Sequence, residues 1–148
     1  MTAELNRAIQ QVFPAGVYRS IQIGTDYAEQ LPPLLMQRRH FTEIVVNILQ
    51  NAREALPNGG HVEVKVEARA EVVFITIVDD GPGIPPDKTE KIFASYFSTK
   101  PQGTGLGLSI VRHNVEAYAG HVRVESELGR GARFILELPT RTFMKIRQ

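Results

Sequence analysis

The sequence contains no cysteine and its charges nearly balance, so several classes of function are excluded from the start. Without cysteine the chain can form no disulfide, thiol nucleophile or thiolate metal site, which suits a reducing cytoplasm. Its 17 Lys and Arg residues outnumber its 16 Asp and Glu residues by one and are scattered along the chain. A nucleic-acid partner is therefore not expected, because it would require a clustered basic surface.

The chain also lacks a long apolar run. No segment approaches the ~20 apolar residues needed to cross a bilayer, and the N-terminus lacks the charged-then-apolar order of a signal peptide. A chain of 148 residues that is 43% hydrophobic can bury the core of one domain. We therefore expect a single soluble domain over residues 1–148, cytoplasmic and without membrane contact of its own, and leave open an anchor elsewhere in a parent protein.

Apolar periodicity predicts the element order α-β-α-β-β-α-α-β-β. Predicted helices cover residues 3–13, 41–56, 86–93 and 106–118, and predicted strands cover residues 18–25, 62–68, 72–78, 121–127 and 132–138. Strands 62–68 and 72–78 form a hairpin, and the irregular stretch 94–103 is a candidate lid. Because the helices and the mostly antiparallel strands must bury their apolar faces against each other, we expect a two-layer α/β sandwich with helices on one face of the sheet.

Two asparagines on the predicted helix 41–56 are candidates for a ligand site. Asn47 and Asn51 are four residues apart and so share one helix face, along which Glu43 and Glu54 extend the polar strip. An amide oxygen can bind a hard cation, and Mg²⁺ typically takes water and nucleotide phosphate oxygens as its other ligands, so Asn51 is a candidate magnesium ligand. The alternative is that both amides are solvated surface residues.

Asp79 follows the apolar strand 72–78 in the alternation that points its side chain to the buried face. A buried carboxylate needs a hydrogen-bond donor, and the adenine amino group is a suitable one, whereas guanine presents an acceptor at that position. The alternative is that Asp79 only begins the turn after the strand. In that turn Gly81 and Gly83 permit close approach to a flat base, and Ile84 supplies apolar surface.

A second glycine-rich segment leads into the predicted helix 106–118. Free amide groups and the positive end of the helix dipole can bind a polyphosphate there. The glycine spacing matches neither the dinucleotide-binding pattern nor the P-loop pattern. Lys100, just upstream, is a candidate for the terminal phosphate or is simply solvated. The candidate residues of the segment are Gly103, Thr104, Gly105, Leu106, Gly107 and Leu108.

In order, these segments resemble the boxes of the catalytic and ATP-binding domain of bacterial sensor histidine kinases, within the wider group of ATPases that includes gyrase, Hsp90 and MutL. The resemblance covers about residues 4–139 and leaves 140–148 as a C-terminal tail. Four or five boxes in one order make it specific. Residues 40–52 resemble the N box, 79–84 the first glycine box, 92–100 the F box, 103–108 the second glycine box and 129–134 the closing glycine turn.

The resemblance implies a Bergerat-type sandwich with a mixed, mostly antiparallel sheet, and ATP as the ligand. It implies Asn51 on Mg²⁺, Asp79 on the adenine amino group, and a lid that closes over the phosphates. We predict Asn47 and Lys100 as the catalytic residues. Gyrase-like hydrolases and anti-sigma-factor kinases carry a glutamate base at the position of Asn47. Without that base, transfer to a neutral histidine imidazole fits better, because this nucleophile needs no deprotonation.

The sequence departs from the family pattern in two informative ways. Glu54 stands where many members have a lysine, so Lys100 or Arg53 becomes a candidate to meet the phosphate charge. No segment resembles the phospho-acceptor helix, so the acceptor histidine is expected on a separate dimerisation domain, of the same parent protein or another chain, with a response regulator downstream. An anti-sigma-factor-type serine kinase, opposed by Asn47, and a nucleotide-binding module without transfer activity remain as alternatives.

Overall fold

The computed structural model describes residues 1–18, 20–94 and 107–140. Within these residues the chain forms α-helices and β-strands in the predicted order, except that no α-helix forms over 86–93. The helices are α1 (Thr2–Val12), α2 (Arg38–Glu54) and α3 (Gly107–Ala117), and the strands are β1 (Ile21–Tyr27), β2 (Gly60–Arg69), β3 (Val72–Asp79), β4 (His121–Ser126) and β5 (Ala132–Pro139). The lid segment falls almost entirely outside the described residues, as does the C-terminal tail beyond Thr140.

Two local predictions were wrong. The predicted helix over 86–93 is a pair of short 3₁₀ turns, Pro86–Lys88 and Lys91–Phe93. The Thr89 hydroxyl donates to the carbonyl of Pro86 at 3.0 Å, so the side chain takes the acceptor that a continuing α-helix would use. The first strand begins three residues later than predicted, because the amide of Ile21 bonds the carbonyl of Tyr18 and closes a turn there.

The strands form one mixed sheet in the order β1-β2-β3-β5-β4. Strand β1 pairs with β2 in parallel, and the other neighbours are antiparallel, including the predicted β2–β3 hairpin. The parallel pair requires a crossover, and α2 supplies it. The result is that the C-terminal part of α2 and the end of β3 meet at one edge of the domain.

Helices cover one face of the sheet. The apolar side chains of α2, among them Ile44, Ile48 and Leu49, are fully buried together with the alternate valines and isoleucines of β2 and β3. The opposite face of β2 exposes charged and polar side chains such as Glu63 and Lys65. This alternation produces the expected two-layer sandwich with a single core. In the described parts of the chain, no helix is long and apolar enough to span a bilayer.

The turn between β4 and β5 packs against the end of β3. Gly131 has a φ of +88°, and a Cβ atom placed there would lie 1.9 Å from the carbonyl oxygen of Asp79. Gly129, two residues earlier, has a similar φ of +82° but no heavy atom within 4 Å of its would-be Cβ. The two glycines therefore share a left-handed backbone and differ in steric surroundings.

This difference predicts unequal effects of alanine at the two positions. Gly129→Ala should cost about 1–2 kcal/mol, the strain of a left-handed backbone alone. Gly131→Ala should cost about 3 kcal/mol or more, because it adds a clash with main chain. Chemical denaturation of both variants measures the difference, and equal stabilities would contradict the packing described here.

Asp80, the residue after β3, is hydrogen-bonded to the start of β2. Its Oδ1 accepts a hydrogen bond from the backbone amide of His61 at 2.7 Å, and its Oδ2 lies 2.9 Å from Nδ1 of the same residue. The backbone bond and then the side-chain bond from His61 lower the pKa of the Asp80 carboxyl from its ordinary value of 3.8. The charged carboxylate is therefore favoured in the folded chain.

A carboxyl whose pKa is lowered by folding stabilises the fold above its ordinary pKa, and this contribution is lost as the pH falls from that value through the lowered one. Asp80→Asn should therefore reduce the free energy of unfolding at about pH 6, and the gap to the unmodified chain should close as the pH falls below the ordinary value of 3.8. Denaturant titrations at several pH values measure this gap. Asp26→Asn, on the exposed edge strand β1, is the control, and an equal, pH-independent loss in both variants would refute the assignment.

Candidate functional site

A cavity of about 310 Å³ opens where α2, the end of β3 and the start of α3 meet. Its walls combine apolar side chains, main chain of the loop after β3, and a few polar groups. The lining residues are Asn51, Glu54, Ala55, Pro57, Asp79, Pro82, Gly83, Ile84, Pro85, Lys88, Ile92, Leu108 and Ala132. Apolar walls with few polar groups are typical of small-molecule sites.

Asp79 is the buried polar group of this cavity. It is the last residue of β3, pairs with Val62 of β2 and Ala132 of β5, and is only 3% exposed. Its Oδ1 accepts a hydrogen bond from the amide of Gly81 at 3.0 Å, which fixes the carboxylate relative to the following loop. The burial predicted from strand alternation is confirmed, and the carboxylate faces a space that a ligand can enter.

The loop after β3 forms one wall. Gly83 and Ile84 line the cavity, as expected for residues that approach a flat base. Gly81 is not among the lining residues. It packs against the end of α2, where an added Cβ would lie 2.8 Å from the carbonyl oxygen of Ala55, and its amide holds the Asp79 carboxylate. Gly81 thus contributes to the site through Asp79.

The polar strip of α2 divides between two surfaces. Asn51 and Glu54 line the cavity with Asp79. Asn47 and Glu43 instead line an open groove formed by α1, α2 and Ile110 of α3. The side-chain amide of Asn47 donates to the carbonyl of Glu43 at 2.9 Å. Within the part of the chain that the structure describes, the two asparagines share a helix face but not a cavity.

The start of α3 lies at the boundary between these two surfaces. A Cβ on Gly107 would come within 3.2 Å of the Asn47 Oδ1, and Leu108 lines the cavity. The first turn of this 11-residue helix therefore faces α2 between Asn47 and Asn51. The other predicted residues of the segment, Gly103, Thr104, Gly105 and Leu106, lie outside the described residues, and so does Lys100.

Two cations occupy positions that the sequence did not reveal. Lys88, on the first 3₁₀ turn, lines the cavity because that turn folds back over the site. Arg53, a candidate for meeting phosphate charge, lies elsewhere: its guanidinium donates to the carbonyl of Val12 at 2.9 Å and stacks 5.1 Å above the ring of Tyr18. The interpretation of Arg53 as a phosphate contact is therefore wrong for this structure.

Phe93 anchors the segment that leads toward the candidate lid. It is buried, and its ring meets that of Phe134 edge to face at a centroid distance of 6.3 Å. The guanidinium of Arg112, on α3, lies 5.7 Å from the same ring. The next two aromatic residues of the chain, Tyr96 and Phe97, lie outside the described residues.

Chemically, the cavity joins a buried carboxylate, apolar walls and an amide oxygen. The carboxylate can accept a hydrogen bond from an exocyclic amino group, and Ile84, Ile92 and Leu108 can pack on a flat ring. The amide oxygen of Asn51 can bind a hard cation. The cavity therefore suits a planar ligand that carries a hydrogen-bond donor at one edge.

Comparison with known proteins agrees with this geometry. A family model described as histidine kinase-, DNA gyrase B- and HSP90-like ATPase matches residues 36–142. The chain is 36% identical over 135 residues to the sensor histidine kinase ZraS of Escherichia coli O157:H7, a match that covers 91% of this chain and 30% of ZraS. The chain thus corresponds to less than a third of that relative.

Solved structures show the same fold. The nucleotide-free catalytic domain of histidine kinase ThkA superposes with a TM-score of 0.85 at 28% identity, covering 95% of this chain and 92% of that one. Full-length ShkA in complex with AMPPNP superposes with a TM-score of 0.79 at 30% identity, covering 93% of this chain and 30% of that one. The mixed five-stranded sheet with its helical layer is the Bergerat fold expected from the resemblance. The family match, which covers most of the chain, establishes that it belongs to the histidine kinase-, DNA gyrase B- and HSP90-like ATPases.

Proposed function

We propose that the chain binds ATP with Mg²⁺ in the cavity beside Asp79 and donates the γ-phosphoryl group to a histidine on a separate acceptor domain. The observation that supports this most is the buried Asp79 carboxylate, which lines a cavity of about 310 Å³ and is aligned by the Gly81 amide. A buried carboxylate needs hydrogen-bond donors, and the amino group of a bound base can supply one from the cavity side. The family membership and the sensor kinase relatives agree with this role.

Asp79 selects the base. A carboxylate only accepts hydrogen bonds, so it pairs with the amino group of adenine and repels the carbonyl oxygen at the corresponding position of guanine. Ile84 and Ile92 pack on the ring, and the main chain at Gly83 approaches its edge. The site thereby prefers ATP over GTP through one charged side chain.

Asn51 is positioned to hold Mg²⁺. It is half-buried and lines the same cavity as Asp79, and its amide oxygen adds no charge to a metal that nucleotide phosphates already neutralise. One neutral protein oxygen fits the preference of Mg²⁺ for water and phosphate oxygens as its remaining ligands. When bound, the metal would neutralise charge on the transferring phosphoryl group.

The first turn of α3 and Lys88 are the described groups that can meet phosphate charge. The first turn of α3 lies beside α2, with Leu108 in the same cavity as Asn51, and Lys88 is the lysine that the described part of the cavity wall contains. The assignment of Lys100 and residues 103–106 to the phosphates of the nucleotide stays a prediction from the sequence. Lys88 and Lys100 would supply the positive charge that Glu54 lacks, since many family members carry a lysine at that position.

Asn47 supports a histidine acceptor. It lies beside the start of α3 and lines the open groove next to the nucleotide cavity. An amide cannot deprotonate a serine hydroxyl or a water, whereas a neutral imidazole is already a nucleophile. The acceptor domain belongs to the same parent protein or another chain, with a response regulator downstream, and the reaction takes place in the cytoplasm.

Asp79→Asn should weaken ATP binding at least about tenfold, because it replaces a charged acceptor by an amide that also donates. Calorimetric titration with ATP and Mg²⁺ measures the change. Asp87→Asn, an exposed carboxylate on the first 3₁₀ turn outside the cavity, is the matched control and should bind as the unmodified chain does. Full affinity in Asp79→Asn would refute the role of this carboxylate.

Transfer is tested by mixing the chain with γ-labelled ATP, Mg²⁺ and a dimerisation domain from a sensor histidine kinase. We expect acid-labile label on the acceptor histidine, lost on chelation of Mg²⁺. Asn51→Ala should reduce the rate about tenfold or more, while Asn58→Ala, an exposed amide beyond the end of α2, should not. Acid-stable label on a serine substrate would favour the anti-sigma-factor-type kinase, and tight binding with no transfer would favour a binding module.

A further inference from the structure

Ser126, the last residue of β4, joins two loops at the base end of the cavity. Its hydroxyl oxygen accepts a hydrogen bond from the amide of Ile84 at 2.7 Å and donates one to the carbonyl of Gly131 at 2.7 Å. Ile84 lines the cavity, and Gly131 packs against the carbonyl of Asp79. One half-buried hydroxyl therefore connects the wall of the cavity to the segment that supports its carboxylate.

Two further contacts hold the same pair of loops together. The amide of Gly129 donates to the carbonyl of Pro82 at 2.7 Å. Gly83 has a φ of +80°, and a Cβ there would lie 2.2 Å from the carbonyl oxygen of Glu127, so the two main chains touch. The turn at residues 126–131 thus supports the loop 81–84 from the side opposite α2.

Ser126 itself does not line the cavity, so it acts through the residues that do. The Ser126 hydroxyl accepts from the Ile84 amide and so fixes the direction of that amide. It donates to the Gly131 carbonyl and so fixes the position of Gly131, which packs against the main chain of Asp79. The distance between the apolar wall and the carboxylate is set by this bridge. Because the ring of a bound base lies between those two groups, a shift of either changes how well the base edge meets the carboxylate.

We propose that Ser126 is a positioning residue that sets the discrimination between adenine and guanine nucleotides at this site. The proposal rests on the proposed function, because it assigns a role in the binding of the same nucleotide. A hydroxyl is suited to this position because it donates and accepts at once. Alanine would leave both the Ile84 amide and the Gly131 carbonyl without this partner.

The test compares Ser126→Ala and Ser126→Thr in the full chain by competitive titration with ATP and GTP in the presence of Mg²⁺. Ser126→Ala removes both of these hydrogen bonds and should lower the ratio of ATP to GTP affinity about threefold to tenfold. Ser126→Thr keeps the hydroxyl and should stay within about twofold of the unmodified chain. If Ser126→Ala does not fold, Ser126→Cys, a weaker donor and acceptor, takes its place under the same criterion.

A matched control separates positioning from general destabilisation. The Thr140 hydroxyl donates to the carbonyl of Glu71 at 2.8 Å, at the opposite end of β3 from Asp79. Thr140→Val removes a hydroxyl-to-carbonyl bond without touching the cavity. It should reduce the free energy of unfolding while leaving the ratio of ATP to GTP affinity unchanged.

The outcomes distinguish this inference from the proposed function. If the unmodified chain prefers ATP and Ser126→Ala keeps that preference, or Thr140→Val loses it equally, the role of Ser126 is refuted and the proposed function stands. Equal affinity of the unmodified chain for ATP and GTP would also refute it. Failure of the unmodified chain to bind ATP at all would overturn the proposed function and this inference together.

Discussion

The site depends on the burial of one carboxylate at the end of a central strand. Asp79 continues the buried alternation of β3, where an apolar residue would complete the core at no cost. The neighbouring strands fix its main chain on both sides, and the Gly81 amide fixes its side chain. In the proposed function, this carboxylate beside an open space specifies both the position and the polarity of the ligand, and the surrounding loops hold it in place.

The sequence was sufficient to predict the parts of the fold that depend on the local spacing of apolar residues. The apolar stripe of α2, the β2–β3 hairpin and the burial of Asp79 all follow from periodicity, since the residues that reveal them are adjacent along the helix or strand. The same logic failed at residues 86–93. There the Thr89 side chain competes for a backbone acceptor, and this competition leaves no trace in the spacing of apolar residues.

The parts of the site that escaped prediction depend on contacts between distant segments. Lys88 reaches the cavity because a 3₁₀ turn folds back, whereas the guanidinium of Arg53 contacts the carbonyl of Val12 and the ring of Tyr18. The Ser126 bridge joins residues 42 positions apart. In the sequence, glycines 129 and 131 indicate a turn here, but their spacing does not identify the segment that packs against it.

Helix α2 packs into the core with one face and lines the cavity and the open groove with another. One face is packed into the core, and the other carries Glu43, Asn47, Asn51 and Glu54 along the two surfaces beside α3. Glu54, which stands where the family resemblance leads us to expect a lysine, is exposed on this outer face. An architecture of this kind lets descendants of one scaffold acquire different chemistries while their stability stays nearly constant.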